Sequence, residues 1–324
     1  MSPALAEVAE ELRALVRGRV SADEPMASFT SFRLGGPAGI LVEPEDEEDL
    51  EAAARVVIRH RLPSVVLGRG SNVLVSDRGF PGVVIRLGKG FDWVSYAGGG
   101  GEIVVAGGAT PLPRVANWAA RRGLAGMEFA VAIPATVGGG VRMNAGAHGR
   151  SISDVLVSAT ICRVGEGARA TLSAGELGLA YRASGIGPAD VVCSARFSLR
   201  AGSREEVTSR MAAYRDHRAL SQPAEAPNAG SMFKNPTGAG KGSAVSAGRL
   251  IEEAGLKGHR VGSAEVSTKH ANFILAHRGA TSEEVYRLLA EVQACVLERS
   301  GLLLLPEVRL VGSFEHLPEL REEP

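Results

Sequence analysis

Two glycine-rich runs, Gly68-Arg69-Gly70-Ser71-Asn72 and the stretch from Ile133 to Gly149, constrain this chain more than any other feature. Glycine supplies 41 of its 324 residues, well above the average share of about 7%. These glycines fall in discrete clusters rather than in a low-complexity tract, a pattern of tight turns and close backbone approaches to a ligand. The first run follows the apolar Val65-Val66-Leu67. The backbone therefore turns where a strand ends, and successive N–H groups there can hold a pyrophosphate. Val73 stands where a dinucleotide fingerprint would carry its third glycine, and no Gly-Lys-Ser/Thr follows at the spacing of a phosphate loop. A nicotinamide-type Rossmann domain and a P-loop nucleotidase are both disfavoured.

The second run reads Ile133-Pro134-Ala135-Thr136-Val137-Gly138-Gly139-Gly140-Val141-Arg142-Met143-Asn144-Ala145-Gly146-Ala147-His148-Gly149. Small residues around Thr136 and Asn144 let the main chain pass within hydrogen-bonding distance of a flat, polar ring system such as an isoalloxazine. Lysine plus arginine equal aspartate plus glutamate at 36 each, so no overall field favours a nucleic acid or an anionic membrane surface. A small-molecule partner is expected. Cys162, Cys193 and Cys295 lack metal-like or CxxC spacing and read as reduced packing residues, with no metal site. No apolar stretch approaches the length of a membrane span or the pattern of a signal peptide, so a soluble, cytoplasmic protein is expected; a monomer is expected too, though nothing in the sequence gives the oligomeric state.

Length suggests roughly two domains, and the pattern resolves three segments. From Met1 to Val20, Leu5, Val8, Leu12, Leu15 and Val16 recur at helical spacing. A strand at Ile40-Leu41-Val42, a helix from Asp46 to His60 and strands at Ser64 to Leu67 and Val83 to Ile85 complete residues 1–88. The acids Asp46 to Asp49 read as a solvated helix start. Residues 89–202 carry strands at Trp93 to Tyr96, Ile103 to Ala106, Val155 to Val164 and Val191 to Leu199, a hairpin turn at Gly98 to Gly101 and a helix from Leu112 to Arg122. Residues 203–324 open with a charged helix, Arg204 to Leu220, followed by a helix over Ala247 to Ala254 and a strand over Ala271 to Ala276. They end with a long helix announced by the capping box Thr281-Ser282-Glu283-Glu284, whose Val285, Leu288, Leu289, Val292, Cys295 and Val296 form the core face.

Three distant stretches supply a guanidinium, a hydroxyl and a carboxylate: Tyr181-Arg182, Gly230-Ser231-Met232-Phe233-Lys234-Asn235-Pro236 and Pro306-Glu307-Val308-Arg309. With Thr30-Ser31-Phe32-Arg33-Leu34-Gly35-Gly36-Pro37-Ala38, both glycine runs and Lys269-His270-Ala271-Asn272-Phe273, they resemble, in order, the UDP-N-acetylenolpyruvoylglucosamine reductases, flavoenzymes of peptidoglycan precursor synthesis. The resemblance implies an α+β chain. Two subdomains would form an FAD-binding fold of the vanillyl-alcohol oxidase type, and a C-terminal α+β domain would bind a UDP-sugar and return Glu307 to the site. The stretch between Arg182 and Ser231 is similar to the subgroup lacking an extra tyrosine-bearing loop. Ala135 stands where glycine is frequent and His148 where tyrosine is frequent.

The resemblance also implies the chemistry. NADPH reduces FAD, hydride passes to C3 of the enolpyruvyl group, and the enolate left at C2 is stabilised and protonated. Ser231 is the implied proton donor, Arg182 faces the carboxylate and Glu307 hydrogen-bonds the enol. FAD falls to Arg33, Gly68, Arg69, Gly70, Ser71, Asn72, Pro134, Thr136, Gly138, Gly139, Asn144, Ala145 and Gly146. The sugar nucleotide falls to Tyr181, Lys234, Asn235, Lys269 and Asn272. No histidine lies between His60 and His148, so non-covalent FAD is expected. Lys241, Lys257, His259, His277 and His316 read as solvated surface.

Overall fold

The computed structural model describes residues 3–97, 102–236 and 245–321. The expected turn at Gly98 to Gly101 and Lys241 lie outside the described residues. The chain divides into two units: Met1–Glu24, Ala38–Arg69 and Pro81–Arg218 form the first, and Pro25–Pro37, Gly70–Phe80 and Ala219–Pro324 the second. Its helices are α1 (Pro3–Leu15), α2 (Glu47–Arg59), α3 (Leu112–Ala120), α4 (Val137–Arg142), α5 (Arg204–Ser221), α6 (Ala247–Glu253) and α7 (Ser282–Ser300). Among the described residues, no helix is long and apolar enough to cross a membrane.

Among the described residues the first unit holds two larger sheets and two short two-stranded pairs, Gly146–Ala147 with Arg150–Ser151 and Leu124–Ala125 with Arg200–Ala201. One has four strands in the order Arg19–Pro25, Pro37–Glu43, Phe80–Ile85 and Ser64–Val66, the last two parallel with Val65 opposite Val84. Against it pack α1, through Val8 and Leu12, and α2, through Leu50, Ala53, Val56 and Val57. Leu15, expected on the buried face of α1, is instead 51% exposed.

The start of α2 corrects the solvated reading of its acids. Asp46 caps the helix by accepting from Asp49 N–H at 3.0 Å, but Asp49 itself is buried. Its carboxylate accepts from Arg17 N–H and Arg17 Nε, both at 3.1 Å, from Gly18 N–H at 3.0 Å and from Glu45 N–H at 3.1 Å. Burial works to raise the Asp49 pKa, yet these amides and the guanidinium together hold it below the ordinary carboxylate value.

The second sheet is antiparallel, in the order Ala168–Ser173, Leu156–Arg163, Asp190–Ser198, Ile103–Gly107 and Val94–Tyr96. One face buries Ala106, Ala159, Ile161, Ala195 and Phe197 in a cluster shared with α3 and α4. Cys162, Val164, Val191 and Cys193 instead join the cluster of the first sheet. The second glycine run forms α4, which the sequence pattern did not announce. Three glycines in a helix each cost about 1 kcal/mol relative to alanine. Two of them sit at close approaches: a Cβ on Gly140 would stand 2.8 Å from Leu112 Cδ1, and one on Gly138 3.2 Å from the Gly108 carbonyl oxygen. Thr136 caps α4 by accepting from Gly139 N–H at 3.2 Å.

The second unit is built on α7. Thr281 Oγ1 accepts from Glu284 N–H at 3.2 Å, the Glu284 carboxylate accepts from Thr281 N–H at 3.1 Å, and Gly301 ends the helix at φ +70°. Asp77 adds a second cap, accepting from Ser282 N–H at 3.0 Å and Glu283 N–H at 2.9 Å. Val285, Leu288, Leu289, Val292 and Val296 are buried as expected, while Cys295 is half-buried. They pack with α6 and with the antiparallel strands Arg260–Val261, Ala264–Val266 and Ile274–Ala276. The last of these is shorter than the strand expected over Ala271 to Ala276. A parallel pair joins Val73–Val75 to Arg309–Val311, with Leu74 opposite Leu310.

Candidate functional site

The first glycine loop leaves its strand at Leu67. Among the described residues, the main-chain N–H groups of Gly68 to Asn72 make no hydrogen bond to protein. Successive main-chain donors without a described protein acceptor are the kind of group that can hold a diphosphate. Gly68 lies against Thr136, where an added Cβ would stand 2.8 Å from Thr136 Oγ1, so the two glycine runs meet within the first unit. Gly138, Gly139, Ala145 and Gly146 are half-buried, and Pro134 and Arg69 are exposed. Ala135 is not among the residues with positive φ, so alanine replaces glycine there without strain. His148, at φ +53°, stacks on Tyr214 of α5 at 3.9 Å between ring centroids.

Tyr181 and Arg182 are the central residues of a tight turn. Ala180 and Ala183 donate to each other's carbonyls at 3.0 and 3.2 Å. Tyr181 is 56% exposed. Arg182 is half-buried, sits at φ +55° and donates through Nη2 to the Gly146 carbonyl at 3.0 Å. Asn144 is buried with both polar groups used: Nδ2 donates to the Ala180 carbonyl at 2.9 Å, and Oδ1 accepts from Ser153 N–H at 2.9 Å. Its main-chain N–H is used as well, donating to the Val141 carbonyl at 3.1 Å.

In the second unit, Gly230 takes φ +79° and its N–H donates to Asn228 Oδ1 at 3.2 Å, which projects Ser231 from a tight turn. Among the described residues nothing hydrogen-bonds to the Ser231 hydroxyl. The next residue is braced on both sides. The Met232 carbonyl accepts from Glu307 N–H at 2.7 Å, and Met232 N–H donates to the Asn272 carbonyl at 2.9 Å. Asn272 is 4% exposed. Its side chain accepts from Phe233 N–H at 2.9 Å and donates to the Phe233 carbonyl at 2.8 Å, the way a neighbouring strand would. Asn72 Nδ2 donates to the Glu307 carbonyl at 3.1 Å, so the end of the first glycine loop and the Glu307 segment are joined.

The other residues expected at the site have simpler surroundings. Lys234 N–H donates to the Leu305 carbonyl at 2.8 Å. Asn235 is exposed and caps α6 by accepting from Ala247 N–H at 3.0 Å. Lys269 Nζ donates to the Ala219 carbonyl at 2.8 Å. Arg33 is exposed at φ +57°. Burial pushes the His270 pKa down, consistent with its Nδ1 accepting from Asn272 N–H at 3.2 Å. Sequence reasoning passed over Ser31, whose Oγ donates to the Asn228 carbonyl at 2.7 Å and whose N–H donates to the Gly70 carbonyl at 3.0 Å. Its signal was available, since Ser31 belongs to the Thr30–Ala38 motif. The bracing by Asn272 carried no signal beyond residue type.

Residues 38–173 match the FAD binding domain family. With the glycine loop, whose amides are unbonded among the described residues, this defines an FAD-binding oxidoreductase of α+β fold. Residues 222–311 match the C-terminal domain of UDP-N-acetylenolpyruvoylglucosamine reductase. The UDP-N-acetylenolpyruvoylglucosamine reductase 2 of Symbiobacterium thermophilum is 43% identical over 98% of this chain and 100% of its own length. The Bacillus licheniformis reductase is 40% identical over 94% of this chain and 98% of its own. The crystal structure of the Thermus caldophilus enzyme superposes with a TM-score of 0.75 at 37% identity, covering 91% of this chain and 99% of that one. The chain belongs to the UDP-N-acetylenolpyruvoylglucosamine reductase family.

Proposed function

We propose that the protein reduces UDP-N-acetylglucosamine enolpyruvate to UDP-N-acetylmuramate, with NADPH as the electron source, in peptidoglycan precursor synthesis. The observation that carries this reading is the Ser231 hydroxyl, unbonded among the described residues, on a turn whose next residue is tied to Glu307. A serine kept for structure would spend its hydroxyl on a backbone group. FAD, when bound, supplies the hydride that enters at C3 of the enolpyruvyl group. The amides of Gly68 to Asn72 would hold its diphosphate. Arg33, Arg69, Pro134 and Thr136 and the main chain of Gly138, Gly139, Ala145 and Gly146 would surround the remainder.

Arg182 offers parallel N–H donors to the enolpyruvyl carboxylate, where negative charge grows as the C2 enolate forms. Glu307 hydrogen-bonds the enol oxygen. Ser231 gives its proton to C2 and regains one from solvent. A serine hydroxyl is a weak acid, but an enolate carbon is basic enough for a weak acid in reach to suffice. Tyr181, Lys234, Asn235 and Lys269 contact the sugar and diphosphate, and Asn272 contributes by fixing the Ser231 segment.

Rapid-mixing kinetics test the assignment. Ser231→Ala should slow reoxidation of reduced flavin by the enolpyruvyl substrate roughly 10²–10⁴-fold while leaving flavin reduction by NADPH intact. Equal slowing of both half-reactions would remove Ser231 from the chemistry.

A further inference from the structure

We propose that Asn144 is a positioning residue that holds the turn carrying Arg182 in a strained, substrate-ready conformation, rather than a flavin contact. The proposal rests on the reading of Arg182 as the partner of the substrate carboxylate. Its foundation is the backbone of the turn. Arg182 occupies φ +55° at the third position of the four-residue turn Ala180 to Ala183. That position favours glycine, and a long side chain is held there against its intrinsic preference. Strain of this kind persists only where the surroundings over-determine it.

The surroundings are three hydrogen bonds from one short segment. Ser184 Oγ donates to the Arg142 carbonyl at 2.6 Å, Asn144 Nδ2 to the Ala180 carbonyl at 2.9 Å, and Arg182 Nη2 to the Gly146 carbonyl at 3.0 Å. All three run between the end of the second glycine run and the turn, so the arginine is registered to the segment that faces the flavin. Asn144 is the element that can hold rather than merely touch. It is 7% exposed, and its Oδ1 is fixed by Ser153 N–H. Its amide takes the one lone pair of the Ala180 carbonyl that the turn's own Ala183 N–H leaves open. Asn144 sits at φ +40°, a conformation asparagine tolerates better than most residues. The identity Asn at this position therefore serves both its own backbone and the Ala180 bond.

Two variants separate these parts. Asn144→Asp keeps the acceptor for Ser153 N–H but loses the donor to Ala180, whereas Asn144→Gly loses both bonds and adopts φ +40° without strain. Both should slow flavin reoxidation by the enolpyruvyl substrate about 10–100-fold. Flavin reduction by NADPH, the visible spectrum and FAD content should stay within about twofold of the parent, and Asn144→Asp should add no slowing to Arg182→Ala. A shifted flavin spectrum, lost FAD or slowed flavin reduction would make Asn144 a cofactor contact and overturn the proposal. Multiplicative slowing in the double variant would overturn it as well. Normal reoxidation in Arg182→Ala alone would instead defeat the reading of Arg182 beneath it. A thermal cycle needs no activity: Arg182→Gly should raise Tm in the parent and give a clearly smaller rise in Asn144→Gly, where the turn is already released. Equal rises would show that Asn144 holds no strain in the turn.

Discussion

Arg182, proposed above as the partner of the substrate carboxylate, occupies a backbone position that favours glycine. A tight turn with positive φ at its third position is most stable with glycine there, and this chain spends the position on an arginine. Relief of that strain should be measurable: Arg182→Gly should stabilise the fold by about 1 kcal/mol, a rise in Tm of roughly 2 °C, while abolishing substrate reduction. A fall in Tm would mean that the guanidinium's bond to Gly146 outweighs the strain. The three residues proposed to react each stand in a short ordered motif, which is why the sequence singled them out. The conformations were not legible, since nothing in Ala180-Tyr181-Arg182-Ala183 marks a turn. The same holds for Asn72, Asn144 and Asn272, which read as polar ligand candidates although their side chains brace backbone.

At the scale of elements, whatever is fixed locally could be read. The capping box of α7, the acidic start of α2 and the apolar runs of the central strands have their causes within a few residues. The strand Arg19–Pro25 was not legible, because a partly exposed edge strand has no clean alternation to show. Helix α4 was hidden by its glycines, whose low propensity is overruled by the close packing they permit. Asp49 was misread for the opposite reason: its place in an acidic helix start is local, but the amides that bury it come from Arg17 and Gly18.

Because the Asp49 pKa is lower in the folded state than in the unfolded chain, its stabilisation is complete above the ordinary carboxylate range and is lost as pH falls through the folded value. Asp49→Asn should therefore cost about 2 kcal/mol at neutral pH. The gap in Tm from the parent should narrow on acidification, and a gap that widened would contradict the assignment. The buried sheet face makes a second prediction. Burial pushes Cys162 up to about 11 and Cys193 up to about 12, with Glu51 and Cys162 respectively adding to the rise. A thiol reagent at pH 8 should label at most Cys295 in the native protein and all 3 cysteines after denaturation. Native labelling of Cys162 or Cys193 would show that the sheet opens readily.

At the scale of the whole molecule, long-range pairing is what the sequence least reveals. The strand Val73–Val75, which the sequence reading did not name, pairs with Arg309–Val311, more than two hundred residues on. That pairing brings Asn72 to the Glu307 carbonyl, and the bond from Glu307 N–H to Met232 extends the chain of contacts to the Ser231 segment. The order of short motifs along the chain nevertheless announced the family. The central claim is that these motifs serve reduction of an enolpyruvyl sugar nucleotide. The most direct test is anaerobic NADPH consumption by the purified, FAD-loaded protein, with and without UDP-N-acetylglucosamine enolpyruvate. The account predicts sustained turnover only when the sugar nucleotide is present, with one NADPH consumed per UDP-N-acetylmuramate formed. Flavin that NADPH reduces and the sugar nucleotide fails to reoxidise would contradict it.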